Sequence, residues 1–182
     1  MNILIKLLKP FSFVPAIIMM YVIYTFSAQP GEQSGALSYR ISFEIVETKD
    51  HLLNTNKSFE QLTSEANGIH YYVRKAAHMT EYFLLAVTIS LPLYVYGVRG
   101  IWLMLLAGAL CVGFAGFDEF HQSFVEARAA SPKDVFIDSC GAGLGILLVQ
   151  AFCWSTLHRS EEKKKHKKKK VKPAPKNDQF YQ

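Results

Sequence analysis

Charge is what this sequence has least of. Only 19% of its 182 residues are Asp, Glu, Lys or Arg, where a soluble domain carries about a quarter. The charge is also unevenly placed. Residues 159–182 hold ten basic and three acidic side chains, whereas residues 1–158 hold ten basic and twelve acidic. With its basic surplus confined to one tail, the chain is not a soluble nucleic-acid binder, and no nucleic-acid partner is expected. The apolar content of the first 158 residues excludes disorder there. Cysteine is scarce as well. Cys111, Cys140 and Cys153 cannot make a paired framework, and each lies in an apolar run, where it reads as a small buried hydrophobe. There is no Cys-x-x-Cys, no His-Glu-x-x-His and no Ser or Cys in a nucleophile-elbow setting, so neither a metal site nor a cofactor is expected. Internal repeats are absent.

What the sequence does have is long uncharged runs. Phe11–Ala28, Tyr82–Val98, Gly100–Phe117 and Ser139–Leu157 each span 17 to 19 residues, close to the roughly 20 needed to cross hydrocarbon as a helix. They lack the period-two alternation of a membrane β-barrel. The first is too long for a signal-peptide core, and Phe26 occupies the position where cleavage after Ala28 would need a small residue. The sequence therefore predicts an all-α fold, a polytopic membrane protein built as a four-transmembrane-helix bundle. Its spans fall at about 11–28, 76–98, 100–117 and 135–157, within a membrane domain of residues 1–158. A polybasic disordered tail follows at 159–182, where Pro173 and Pro175 block a helix and the lysines attract anionic lipid at about 1 kcal/mol each.

Lys6, Lys9, Arg99 and the basic tail fall on one side of such a bundle. Arg40, Lys49, Lys57, Arg74, Lys75, Arg128 and Lys133 fall on the other. The excess places both termini in the cytoplasm of a multi-pass cell-membrane protein, with loops 29–75 and 118–134 facing outward. Short amphipathic helices are expected in the first outward loop. Ile41, Ile45 and Val46 fit one face, and Phe59 and Leu62 another, with Ser58 as its cap.

Ionisable residues gather at the outward end of these spans. At 100° per residue, Arg74, His78, Glu81, Tyr82 and Leu85 share a helix face with Lys75 at its edge. Asp118, Glu119 and Gln122 share another, from which His121 points away. Asp134, Asp138, Gly141 and Gly145 form one stripe, whose glycines let a neighbouring helix approach closely. Arg128 and the segment Ser27–Gln29 lie at the same level. Buried charges in a span are costly unless they face one another or a polar cavity. Gln29, Arg74, Lys75, His78, Tyr82, Asp118, Glu119, Gln122, Arg128, Asp134 and Asp138 are therefore expected to line one outward-opening pocket.

Three segments carry a resemblance: YTFSAQPGEQS at 24–34, RKAAHMTEYFLL at 74–85 and DEFHQSFVEARAASPKDVFIDSCGAGLG at 118–145. Over about residues 20–150 the chain resembles the VanZ-like family of small bacterial membrane proteins. The family pattern falls on Lys75, His78 and Tyr82, then on Asp118, Glu119 and Gln122, then on Arg128, Asp134, Asp138, Gly141 and Gly145. One departure is Ala127, where a Gly commonly precedes the Arg. The resemblance implies a role in the cell envelope and in low-level resistance to the glycopeptide teicoplanin, with no settled reaction.

Three functions fit these residues. In the preferred, non-catalytic one, the pocket binds or shields an envelope ligand beside membrane lipid, such as a cell-wall precursor or a glycopeptide at the outer leaflet. In an enzyme, His78 would be the general base, with Glu81 and the Asp118/Glu119 carboxylates as further candidates acting on a lipid-linked substrate. In a structural bundle, the opposite charges would only fix helix register.

Overall fold

The computed structural model describes the backbone of residues 9–170 and the side chains of residues 9–155. Every regular element among them is helical. A 3₁₀ turn, Lys9–Phe13, leads into α1 (Val14–Ser27), which has Pro15 in its first turn. α1 ends three residues before Pro30, and the residue preceding a proline is kept out of helix by steric clash. α2 (Gly31–Leu53) follows and ends on Asn54, whose left-handed backbone closes the helix. α3 (Phe59–Val95) starts from a full capping box. The Ser58 hydroxyl accepts the Gln61 N–H, and the Gln61 side chain accepts the Ser58 N–H. α4 (Ile101–Gln122) and α5 (Pro132–Lys170) complete the order. Four of these helical stretches are long and apolar enough to cross a membrane: Lys9–Ser27, Phe59–Val95, Ile101–Gln122 and Pro132–Ser155.

The segment 29–75, expected as a loop with short helices, is built differently. α2 is one helix of 23 residues, and the second amphipathic piece is fused to the second span as a single helix of 37 residues. Once a capped turn has met the nucleation cost, each further residue adds a hydrogen bond, so polar composition alone does not stop the helix. α3 is thus about 56 Å long at 1.5 Å per residue, well beyond the roughly 30 Å of hydrocarbon. Its first half pairs with α2 as a helical hairpin. The turn between them is held by Asp50, whose carboxylate accepts from the Thr55 hydroxyl and the Lys57 N–H. The Thr55 hydroxyl, ahead of the other contacts, holds that carboxyl below its ordinary pKa.

The buried face of α2 also differs from expectation. Ser38, Ser42 and Val46 are buried, whereas Ile41 and Ile45 are exposed. Each serine satisfies its hydroxyl on the carbonyl four residues back. That removes the polar penalty and lets a narrow, small-residue face lie against a neighbour.

The chain's contacts divide it into two units, Met1–Val149 and Gln150–Gln182. The first holds the core. Ile23 of α1, Tyr82, Leu85, Ala86 and Ile89 of α3, Leu103, Ala107, Cys111 and Ala115 of α4, and Ala142 and Ile146 of α5 form one cluster. On α4 the buried positions recur every fourth residue and are mostly small, which brings backbones close. α5 approaches α3 through glycine. A Cβ on Gly141 would lie 2.1 Å from the Met79 carbonyl oxygen, and one on Gly145 would lie 2.5 Å from that of Phe83. The outer surface of the spans is apolar, with Ile17, Leu84, Leu91, Leu105, Val112, Leu144 and Leu148 exposed, as lipid contact requires. Cys111 and Cys153 are buried as expected, but Cys140 is exposed.

α5 continues as helix to Lys170, past residue 158, where the sequence places the start of a disordered tail. Glu and Lys are good helix formers, and an established helix extends cheaply into them. The rest of the tail and its expected lipid-attracting side chains lie outside the described residues.

Candidate functional site

The polar cluster is assembled from the end of α1, the start of α2, the middle of α3, the end of α4 and the start of α5. Its anchor is the loop between α4 and α5. Arg128 Nε donates to the Gln29 carbonyl at 2.9 Å, and Nη2 donates to the Phe26 carbonyl at 3.0 Å. Both acceptors lie at the C-terminal end of α1, where carbonyls lack intrahelical partners and the helix dipole favours a cation. Gly31 completes this clasp. Its N–H donates to the Glu126 carbonyl at 3.0 Å, and a Cβ there would sit 1.8 Å from the Ala127 carbonyl oxygen. Burial, then the nearby Arg74, holds the Arg128 pKa below its ordinary value, but arginine remains charged in proteins.

The backbone at Ala127 shows why a Gly fits this position, and nothing in the structure explains the Ala. Its φ is +55°, a left-handed conformation that costs a residue with a Cβ about 1–2 kcal/mol. Replacing Ala127 with Gly should remove most of that cost while adding unfolded-state entropy, a net gain of about 1 kcal/mol. Thermal unfolding in detergent checks it. The expected result is a midpoint higher by about 2–4 °C.

The other sequence-predicted residues fall around this clasp. Lys75 of α3 pairs with Asp134 in the first turn of α5. Its ammonium also lies 5.3 Å from the Tyr71 ring centre. His78 Nδ1 is 3.7 Å from a Glu81 carboxylate oxygen. On α4, Gln122 donates to Asp118 at 3.0 Å, and both are buried. Glu119 accepts the Ser131 N–H at 2.7 Å, tying the end of α4 to the start of α5. Asp138 and Tyr82 are 2% and 0% exposed, and Asp138 Oδ1 and the Tyr82 hydroxyl have no hydrogen-bond partner among the described residues. Glu81, Asp118, Glu119, Asp134 and Asp138 lie within one another's electrostatic range. Among the described residues, no three His, Cys, Asp or Glu side chains come together as a metal site. His121 faces elsewhere, its ring 4.8 Å from that of Tyr24 on α1.

Two cavities open onto this cluster and share Arg74, His78 and Arg128. One, of about 220 Å³, lies under α2 and is walled largely by Phe26, Leu37, Ile41, Val73 and Ala77. The other, of about 190 Å³, is polar and adds Lys75, Gln122 and Asp134. Gln29 lines the first cavity and serves Arg128 through its backbone oxygen.

Sequence reasoning missed the apolar wall and Ser131. Ser131 could have been found. A Ser-Pro pair before a helix is an N-terminal signature, and here the Ser131 hydroxyl accepts the Lys133 N–H at 3.3 Å. The carbonyls of Phe26 and Gln29 carry no residue-type signal at all.

The fold and the cluster define a class: a multi-pass helical membrane protein with its ionisable residues collected at one end of the bundle. Residues 12–153 match the VanZ/LLP1 family, most of the chain, and the protein belongs to that family. It is thereby related to the teicoplanin-resistance proteins of the family. No curated protein and no solved structure matches the chain.

Proposed function

We propose that the protein holds its polar pocket toward the outside of the bacterial cell membrane and there binds or shields an envelope ligand, a cell-wall precursor or a glycopeptide. The observation that carries this reading is the sharing of Arg74, His78 and Arg128 by two adjoining cavities above buried carboxylates. A purely structural network has no need of open space beside its charges. A non-catalytic role is favoured over an enzyme because the carboxylates proposed for catalysis are engaged, Asp118 with Gln122 and Glu119 with the Ser131 backbone.

The test pairs two measurements on His78→Gln and Asp118→Asn: thermal stability in detergent, and teicoplanin susceptibility of cells carrying each variant. Both amides keep shape and hydrogen bonding while removing the ionisable group. Protection should be lost while each variant accumulates and melts nearly as the parent does. Full protection by two stable variants would refute the ligand-site reading, and a loss of function that tracks lost stability would favour the structural one.

The orientation rests on the excess of Lys and Arg near the span ends on the side of Lys6, Lys9, Arg99 and the basic tail. A reporter active only in the cytoplasm should work when fused after Gln182 and be silent when inserted near Asn54. The reverse pattern would move the pocket inside the cell.

A further inference from the structure

Two guanidiniums in the cluster make no ion pair at contact distance among the described residues. Lys75 is paired with Asp134, and Glu81 sits by His78. Asp118 and Glu119 hold Gln122 and the Ser131 N–H. Arg128 commits Nε and Nη2 to carbonyl oxygens, but its Nη1 is buried and makes no hydrogen bond among the described residues. Arg74, half-buried, makes no hydrogen bond or ion pair among them. Each arginine lies in the other's field, and both line both cavities. The two guanidiniums face common open space, with Glu81, Asp118 and Glu119 also in the field of Arg128, and an anion bound between the two arginines would relieve their mutual repulsion. Planar guanidiniums suit the oxygens of a phosphate.

The neighbouring surface says what the anion is attached to. The cavity under α2 is walled by apolar side chains, and Leu37 and Ile41 continue on the same face of α2 to exposed Ile45, one helical turn further. Because α2 packs through serines, this apolar stripe stays outside the core. Inorganic phosphate would use only the polar cavity, which at about 190 Å³ is several times the roughly 30 Å³ of a water molecule. An amphiphile would use both cavities.

We propose that the site holds one phosphate-bearing membrane lipid per chain, its phosphate between Arg74 and Arg128 and the start of its acyl chain along Phe26, Leu37 and Ile41. This rests on the reading of the cluster as a ligand site and gives that ligand its chemical class.

The experiment is native mass spectrometry of the full chain in detergent with three probes: dioleoyl phosphatidylglycerol, dioleoylglycerol, which lacks the phosphate, and inorganic phosphate as competitor. Samples are equilibrated at about 1 M salt, where a Debye length of about 3 Å suppresses binding by the lysines of the tail. The expected result is a single phosphatidylglycerol per chain, no retained dioleoylglycerol, and no displacement by equimolar phosphate. R74Q should weaken retention about tenfold or more, the order expected for one charge-assisted contact. Ile41→Asn, at an exposed position that the fold tolerates, should also weaken it. Equal retention by R74Q, equal retention of dioleoylglycerol, or displacement by inorganic phosphate would each overturn the proposal. These outcomes are independent of the susceptibility test. Lost protection in His78→Gln with no lipid bound leaves the functional reading and removes this one, and a retained lipid with full protection does the reverse.

Discussion

Gly141→Val should be strongly damaging, while Gly143→Val, two residues along the same helix, should be close to neutral. A Cβ at Gly141 would stand 2.1 Å from the Met79 carbonyl oxygen, an atom of the α3 backbone that no rotamer can move aside. α5 must then retreat from α3, and the contacts that follow Gly141 along the stripe, at Ala142, Gly145 and Ile146, loosen with it. Overpacking of this kind costs about 3 kcal/mol, a fall in unfolding midpoint of about 6–12 °C. A Cβ at Gly143 meets nothing within 4 Å. Valine is there a slightly better helix former than glycine. Melting curves of both variants in the same detergent decide the matter. Similar behaviour of the two would mean that α5 does not pack on α3 through its glycine stripe.

The second large effect is expected at Arg128. Arg128→Ala removes two charge-assisted hydrogen bonds to the end of α1, leaving the Gln29 carbonyl without its arginine donor and the Phe26 carbonyl with only the Gln29 N–H at 3.3 Å. A hydrogen bond to a charged group contributes about 1.5–3 kcal/mol, so the loss should be at least about 3 kcal/mol. Arg128→Lys should recover less than half of it. A lysine ammonium is a point charge on a flexible stem and cannot reach two carbonyls in the planar geometry of the guanidinium. Full rescue by lysine would show that charge alone, and not the fork, holds α1 to the loop. The comparison is again by thermal unfolding, with the α1 clasp as the element lost.

The spans and their inward faces were legible because helix periodicity is written in residue type. Arg74, His78, Glu81 and Tyr82, or Asp118, Glu119 and Gln122, must share a face at 100° per residue whatever surrounds them; Arg74, His78 and Glu81 line one cavity, whereas Tyr82, Asp118, Glu119 and Gln122 are buried. α2 was not legible. Its packing face is serine, and its isoleucines point outward, which inverts the usual rule that the apolar stripe marks the core. The unbroken course of α3 was hidden by its polar first half, although its cap at Ser58 was visible. The clasp could not be read at all. Arg128 bonds to backbone atoms 99 and 102 residues away, and every residue has the same carbonyl.

The continuity of α3 has a mechanical consequence. Sharp bends in helices come from proline, glycine–serine pairs or bulges, and the only proline in α3 is Pro92, in its last turns. Between the Ser58 cap and that point the helix acts as one stiff lever. Its outer arm carries the partner of α2 and its inner arm carries Tyr82 and Leu85, with Arg74 and His78 near the fulcrum. A group held beneath α2 thus rests against the same continuous helix that carries Tyr82 and Leu85 into the packed centre.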